Sequence, residues 1–264
     1  MFRIVFHKVF IIHDKLCRQG LFYFNVYGTG TTSIVYEDHY KYDKYQKGDL
    51  RMYTGNYECL ELFVKPDEGK KGSVLLKNVK ESTTETKELK HIYGNWIKFP
   101  VSRNTEYEIS TQDCTITFAY LSECENIMEN GICVLDTTDN YKEMNKEEFL
   151  HFIDTPYREQ YHFSPVVNWN NDPNGLCWFK GYYHLFYQMN PFGQEWNNMY
   201  WGHAASKDLV HWTHLPVVLE PQEEILDNLA IKGGAFSGSA LPMGDEVYFY
   251  LTRHIGPQDD GWET

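Results

Sequence analysis

The residue types that could perform chemistry are concentrated at positions 171–175 and 236–239. Pro173 fixes its own φ and keeps the preceding residue extended, so we expect the carboxylate of Asp172 to point in one direction at the end of a strand. Residues 174–175, Asn-Gly, tolerate positive φ and predict a turn directly afterwards. An immobilised carboxylate is suited to nucleophilic attack on an anomeric carbon, although an ordinary surface turn explains the pentapeptide alone equally well.

Aromatic and amide side chains surround this stretch and favour a sugar-cleaving pocket. Trp169 precedes Asp172 by three positions, Gln188 follows an aromatic run, and Trp196 comes shortly before the Trp- and His-rich block 201–212. Aromatic ring faces suit the C–H faces of a sugar, and side-chain amides suit its hydroxyl groups.

The segment from Tyr161 to Ser239 resembles glycoside hydrolase family 32, the β-fructosidases, which include invertases, levanases, inulinases and sucrose-phosphate hydrolases. The resemblance covers roughly the last two fifths of the chain. It implies that Asp172 is the nucleophile that attacks C2 of a terminal fructosyl unit in a retaining double displacement. It further implies substrate-binding roles for Trp169, Asn171, Gln188, Trp196, Phe236 and Ser237. Asn170 departs from the Met or Ile that is usual there, which is expected to alter packing behind the pocket.

Two further family motifs, Arg-Asp-Pro and a later Glu-Cys whose glutamate is the acid/base, do not follow Ser239 in this chain. Retaining hydrolysis requires two carboxyl groups in different protonation states, and we interpret the glutamates at 220, 223 and 224 as solvated loop acids. The resemblance implies a five-bladed β-propeller, of which the residues after Tyr161 form about two blades. We therefore expect the N-terminal part of a larger enzyme or a truncated product, inactive alone.

The first part of the chain predicts a different β fold. Short aromatic and β-branched segments recur between turn-rich or charged stretches, which is typical of an antiparallel β-sandwich. The segments are 21–27, 60–64, 73–76, 96–99 and 115–120. Such sandwiches can bind carbohydrate, but packing alone accounts for the aromatic residues, and a structural or docking role is favoured. The predicted fold class is all-β, a sandwich followed by propeller blades.

A helix is predicted near residues 145–153, where Asn145 and Glu148 form a capping box ahead of an apolar face. Pro156 ends it, so residues 1–156 are predicted as the accessory domain and residues 157–264 as the glycosidase domain. No internal repeat separates the chain further.

Composition excludes several classes of function. A net charge of −13 argues against nucleic acid as a partner. The six cysteines contain no Cys-x-x-Cys pair, so free buried thiols are expected, and no cofactor is predicted. The histidines at 203, 211 and 214 are interpreted as structural, so no metal is predicted.

The sequence predicts no membrane segment and no secretory signal, so a cytoplasmic location is expected. The pocket motifs and the resemblance predict a sugar substrate as the partner. A non-catalytic carbohydrate-binding or interaction protein that retains half a pocket remains an alternative. A third, an inverting pentosidase propeller, is disfavoured by the motifs at 171–175 and 236–239. The sequence does not specify the fructoside or the oligomeric state.

Overall fold

Strands make up nearly all of the regular structure in the computed structural model, which describes residues 27–28, 50–137 and 162–258. In these ranges the helices are two single turns, Ile127–Asn130 and Glu223–Leu226. The predicted all-β class is confirmed. The predicted helix near 145–153 and the boundary near Pro156 lie outside the described residues and stay predictions.

The chain divides into two compact units. The first unit contains the described residues 50–123 and 133–137, and the second contains 27–28, 124–132 and 162–258. The chain thus leaves the first unit after Glu123 and returns to it at Cys133.

Two four-stranded sheets build the first unit. After the two-residue strand β1 (Tyr27–Gly28), which belongs to the second unit, one sheet has the order β2-β7-β4-β5 and the other β6-β3-β8-β9, all antiparallel. The strands are β2 (Leu50–Tyr53), β3 (Cys59–Pro66), β4 (Ser73–Asn78), β5 (Thr84–Glu88), β6 (Asn95–Pro100), β7 (Glu106–Gln112), β8 (Cys114–Ser122) and β9 (Cys133–Val134).

The apolar residues of these two sheets form one core. In β4 buried and half-buried residues alternate, as the two-residue period of a strand requires. Leu60, Leu62 and Val64 from one sheet belong to the same buried cluster as Val74 and Ile109 from the other. Two sheets joined by one apolar layer are a β-sandwich, as predicted.

The opposite face of the sheet β6-β3-β8-β9 carries an aromatic cluster. Phe63 stacks on Trp96 and Phe118 with ring centroids 5.5 and 5.6 Å apart. Glu61, only 3% exposed, accepts hydrogen bonds from Trp96 Nε1 at 2.7 Å and Tyr120 Oη at 3.0 Å. Phe63, Phe118 and Tyr120 are themselves buried, so these aromatic side chains pack against each other.

One complete antiparallel meander forms the centre of the second unit. It has the order β10-β11-β12-β13, so each strand pairs with the next along the chain, which is the connectivity of a propeller blade. The strands are β10 (Trp169–Phe179), β11 (Tyr182–Asn190), β12 (Tyr200–Ser206) and β13 (Trp212–Leu219).

A long hairpin follows the meander and packs against it. It consists of β14 (Ile231–Met243) and β15 (Glu246–Pro257), with β1 parallel to β14 on the other side. Phe186 and Trp201 of the meander share a buried cluster with Ala235, Val247 and Phe249 of the hairpin. The described residues therefore contain one four-stranded blade and a further three-stranded sheet of β1, β14 and β15, in agreement with the prediction of about two blades.

Candidate active site

Asp172 lies inside a strand, and an irregularity in that strand directs it. In β10, Asn170 pairs with Met189 but Pro173 pairs with Tyr187, so three steps on one strand match two on the other. The extra residue is a β-bulge at Asn171 and Asp172, and a bulge redirects side chains out of the regular alternation. Two consecutive residues can therefore point towards one site.

A second bulge lies at the other predicted motif. In β14, Ala235 pairs with Arg253 and Gly238 pairs with Leu251, which again leaves one extra residue, at Phe236 and Ser237. Both predicted motifs are thus bulged strand segments, on the first strand of the blade and the first strand of the hairpin.

The predicted turn at residues 174–175 is wrong, because both residues belong to β10. Gly175 has φ of +51° and lies at a further register shift between Asn174 and Cys177. The sequence Asn-Gly therefore supplies a positive φ for a bulge and not for a hairpin. The turn lies at Lys180 and Gly181, with φ of 46° and 86°.

Five predicted site residues form one chain of hydrogen bonds. Trp169 Nε1 donates to Asn171 Oδ1 at 2.9 Å, and Asn171 Nδ2 donates to Gln188 Oε1 at 2.6 Å. Gln188 Nε2 donates to Ser237 Oγ at 2.9 Å, and Ser237 Oγ donates to Asp172 Oδ2 at 2.7 Å. Every donor points along the chain towards the carboxylate, so each bond polarises the next.

Three members of this chain are buried, and Trp169 and Asn171 are half-buried. Ser237 is fully buried, Gln188 is 3% exposed and Asp172 is 9% exposed. Polar groups removed from water are costly unless they are paired, and here the donors and acceptors are matched along the chain. The hydrogen bond from Ser237 consequently orients the carboxylate, which lies inside β10 and not at the strand end that the sequence predicts.

Opposing effects act on the protonation of Asp172. Burial, the largest effect, raises the pKa of its carboxyl above the usual 3.8, while hydrogen bonds from the Asn171 side chain and from its own backbone lower that pKa. Burial penalises the charged form and the donors favour it.

The remaining two predicted residues form an aromatic wall, defined here as Trp196 and Phe236. Their ring centroids are 6.0 Å apart at an interplanar angle of 72°. His254 of β15 stacks on Phe236 with ring centroids 4.5 Å apart, and Lys232 Nζ lies 4.7 Å from the Trp196 centroid. The wall adjoins the hydrogen-bonded chain because Phe236 and Ser237 share one bulge.

Backbone and amide contacts fix the segment 191–199 that carries Trp196. Asn168 Nδ2 donates to the Pro191 carbonyl at 2.9 Å, and Asn190 Nδ2 donates to the Glu195 carbonyl at 3.0 Å. Met199 N donates to Gly233 O at 2.8 Å, so the end of the segment is joined to β14. Trp196 thus lies on a loop attached at both ends.

Sequence reasoning missed Asn174, Lys232 and His254. Asn174 is 2% exposed, and neither polar atom of its amide has a hydrogen-bond partner in the structure. Its position two residues after Asp172 was a possible signal, since residues two apart on a strand lie on one face. Lys232 and His254 stand outside any motif, and no sequence pattern marks them.

Three other features of the described residues concern metal binding, thiol reactivity and membrane-spanning helices. Within the described residues no cluster of His, Cys, Asp or Glu has the arrangement of a metal site. Burial raises the pKa of Cys177 to about 11, which keeps its thiol protonated and unreactive. In the same part of the chain, no helix has the length and apolar character needed to cross a membrane.

A blade-type meander whose first strand presents a buried, hydrogen-bonded carboxylate beside an aromatic wall is typical of β-propeller glycoside hydrolases. The family match is specific: residues 162–263 match the model of the glycosyl hydrolases family 32 N-terminal domain. The predicted resemblance is thereby confirmed for the C-terminal part of the chain.

Two curated relatives are in line with this family match. A levanase of Bacillus subtilis is 56% identical over 90 residues, which are 34% of this chain and 12% of that protein. A sucrose-6-phosphate hydrolase of Zymomonas mobilis is 40% identical over 119 residues, or 45% of this chain and 22% of that protein.

A solved structure extends the match into the N-terminal part. The glycoside hydrolase family 32 protein of Bifidobacterium adolescentis matches with a TM-score of 0.73 and 33% identity, over 80% of this chain and 36% of that one. The chain spans little more than a third of that structure and less of the curated relatives.

Proposed function

We propose that the protein that carries this chain is a β-fructosidase, which removes terminal fructosyl units from sucrose, its phosphate or fructans. One observation carries the proposal. A buried carboxylate, Asp172, is held by Ser237 at the end of a five-residue hydrogen-bond chain, beside the Trp196–Phe236 wall. The similarity to a levanase and a sucrose-6-phosphate hydrolase supports a fructoside as substrate.

In the proposed mechanism Asp172 is the nucleophile. One carboxylate oxygen bonds to the anomeric carbon C2 of the fructosyl unit as the bond from C2 to the leaving oxygen breaks, and a glycosyl ester forms. A second carboxyl group gives the leaving oxygen its proton, and then takes a proton from the water that hydrolyses the ester. The family resemblance assigns that second role to the glutamate of the Glu-Cys motif, which does not follow Ser239 in this chain.

The surrounding residues have roles that follow from their contacts. The Ser237 hydroxyl orients Asp172 and favours its charged form, because a donor to a carboxylate stabilises the anion. Gln188 donates to that hydroxyl, and Asn171 and Trp169 hold Gln188 in place through the rest of the chain. By resemblance, Asn171 and Gln188 also hold the fructose ring, and Trp169 forms part of the pocket wall. Trp196 and Phe236 supply an apolar surface for the C–H face of the ring.

The decisive test is Asp172→Asn in the protein expressed from its complete coding sequence. The variant should lose nearly all release of fructose from sucrose, levan and inulin, because an amide cannot form the glycosyl ester. Its melting temperature should stay close to that of the unaltered protein, since an amide can still accept the Ser237 hydrogen bond.

Two results would contradict the proposal. Retention of more than a few per cent of the turnover by Asp172→Asn would exclude Asp172 as nucleophile. Binding of fructosides by the unaltered protein without any turnover would instead favour the non-catalytic carbohydrate-binding alternative.

A further inference from the structure

Lys232 contacts the aromatic wall through its charge. Its Nζ lies 4.7 Å from the ring centroid of Trp196, within the range in which an ammonium group is attracted to an indole face. No pocket motif contains Lys232, and the family resemblance assigns it no role.

The backbone fixes the distance between these two side chains. Met199 accepts from Ala235 N at 3.0 Å and donates to Gly233 O at 2.8 Å, so the segment with Trp196 and the strand with Lys232 are joined by two hydrogen bonds. A Cβ on Gly234 would lie 2.8 Å from Met199 N, closer than packing permits. The two glycines after Lys232 therefore allow the close approach that brings its ammonium to the ring.

Lys232 and Phe236 hold Trp196 in different ways. Lys232 and Gly234 lie on one face of β14, and Gly234 is paired with His254, whose ring stacks on Phe236. Trp196 itself lies in the loop 191–199 and is half-buried, so its ring orientation depends on such contacts. Phe236 contacts it edge to face, and the ammonium adds an attraction with a preferred direction, towards the ring face.

We propose that Lys232 is a positioning residue for the pocket wall: its ammonium fixes the indole ring of Trp196 in the orientation that receives the sugar. The inference rests on the proposed function and adds to it a residue that acts through Trp196 and does not react. Because the contact is electrostatic, arginine should replace lysine, whereas methionine, of similar length but uncharged, should not.

The test compares Lys232→Met and Lys232→Arg in the protein expressed from its complete coding sequence. Lys232→Met should lower kcat/KM on sucrose about two- to fivefold, mainly through KM, and weaken the affinity for fructose measured by calorimetry by a similar factor. Lys232→Arg should retain most of both. Lys180→Met is the matched control, because Lys180 Nζ lies 5.4 Å from the Phe179 ring at the far end of β10, and it should change neither quantity.

A double-mutant cycle with Trp196→Ala decides whether Lys232 acts through the indole ring. In the Trp196→Ala background, Lys232→Met should have almost no further effect on fructose affinity, since the ring it positions is gone. An undiminished further loss in that background, or a loss in Lys232→Arg as large as in Lys232→Met, would overturn the inference. Neither outcome affects the proposed function, which is tested separately by the activity of Asp172→Asn.

Discussion

Ser237 is the residue through which the polar chain reaches Asp172, the proposed nucleophile. Its single hydroxyl proton goes to Asp172 Oδ2, and its oxygen accepts from Gln188 Nε2, so it links the amide side chains to the carboxylate. The sequence assigned Ser237 to sugar binding by resemblance alone. The contact with Asp172 adds a second role, control of the carboxylate.

We predict that Ser237→Ala lowers kcat/KM on sucrose by about ten- to a hundredfold, the usual range for a hydrogen bond to a charged group. Loss of the donor should also raise the pKa of Asp172 beyond the rise that burial already causes. The acidic limb of the pH profile of kcat/KM should then move to higher pH, because Asp172 must be ionised to attack.

Ser239→Ala is the control for this prediction, since Ser239 lies on the same strand but is exposed. It should leave both the rate and the pH profile unchanged. An unchanged acidic limb in Ser237→Ala would show that the hydroxyl does not act on Asp172.

The types and order of the site residues could be read from the sequence, but their connections could not. Asn171, Asp172, Phe236 and Ser237 stand as neighbours within two short motifs, so regular alternation predicts opposite faces for each pair. Only the two bulges bring neighbours to one side, and a bulge depends on the register with the partner strand. For the same reason the contact between Lys232 and Trp196 has no sequence signal.

At the level of strands, β10 combines two bulges in eleven residues, and Gly175 makes the second one possible. Its φ of +51° is unfavourable for residues with a side chain, and a Cβ there would lie 3.0 Å from Phe186 Cδ2 and 3.3 Å from Ala240 Cβ. Phe186 belongs to the cluster between the blade and the hairpin. A side chain at position 175 would therefore cause both backbone strain and crowding.

We predict that Gly175→Ala destabilises the protein by more than the roughly 1–2 kcal/mol expected from left-handed backbone strain alone. Gly244→Ala isolates the strain, because Gly244 has φ of +65° and open space around its Cβ position. Urea unfolding of both variants measures the difference. Equal losses would mean that Phe186 and Ala240 yield to the added methyl group without cost.

At the scale of the whole molecule, the sandwich was predictable where apolar residues alternate and unpredictable where polar residues dominate. Segments 60–64, 73–76, 96–99 and 115–120 all lie in strands. The strand β5 (Thr84–Glu88) was missed because four of its five residues are exposed and none is apolar, so tertiary pairing with β4 forms it against its composition. Segment 21–27 lies outside the described residues apart from Tyr27.

The second unit contains a histidine pair, in which His184 is buried and His203 is half-buried. His184 Nδ1 and His203 Nε2 are 3.0 Å apart, and the His203 ring stacks on Phe186 at 4.3 Å. One nitrogen must donate and the other accept, so the pair is compatible with neutral rings. Burial lowers the pKa of both rings below the usual 6.5, and for His203 the neighbouring His184 adds to the effect.

These lowered pKa values fix the sign of a pH dependence. Below about pH 6.5 the unfolded chain binds protons that the folded pair does not. The free energy of unfolding is therefore highest above that pH and decreases as the pH falls. We predict that the melting temperature falls between about pH 7 and pH 5, and that His203→Gln makes this fall less steep. Glutamine can still bond to His184 Nδ1 but cannot be protonated. A slope in His203→Gln equal to that of the unaltered protein would show that the His184–His203 pair does not contribute to the acid sensitivity.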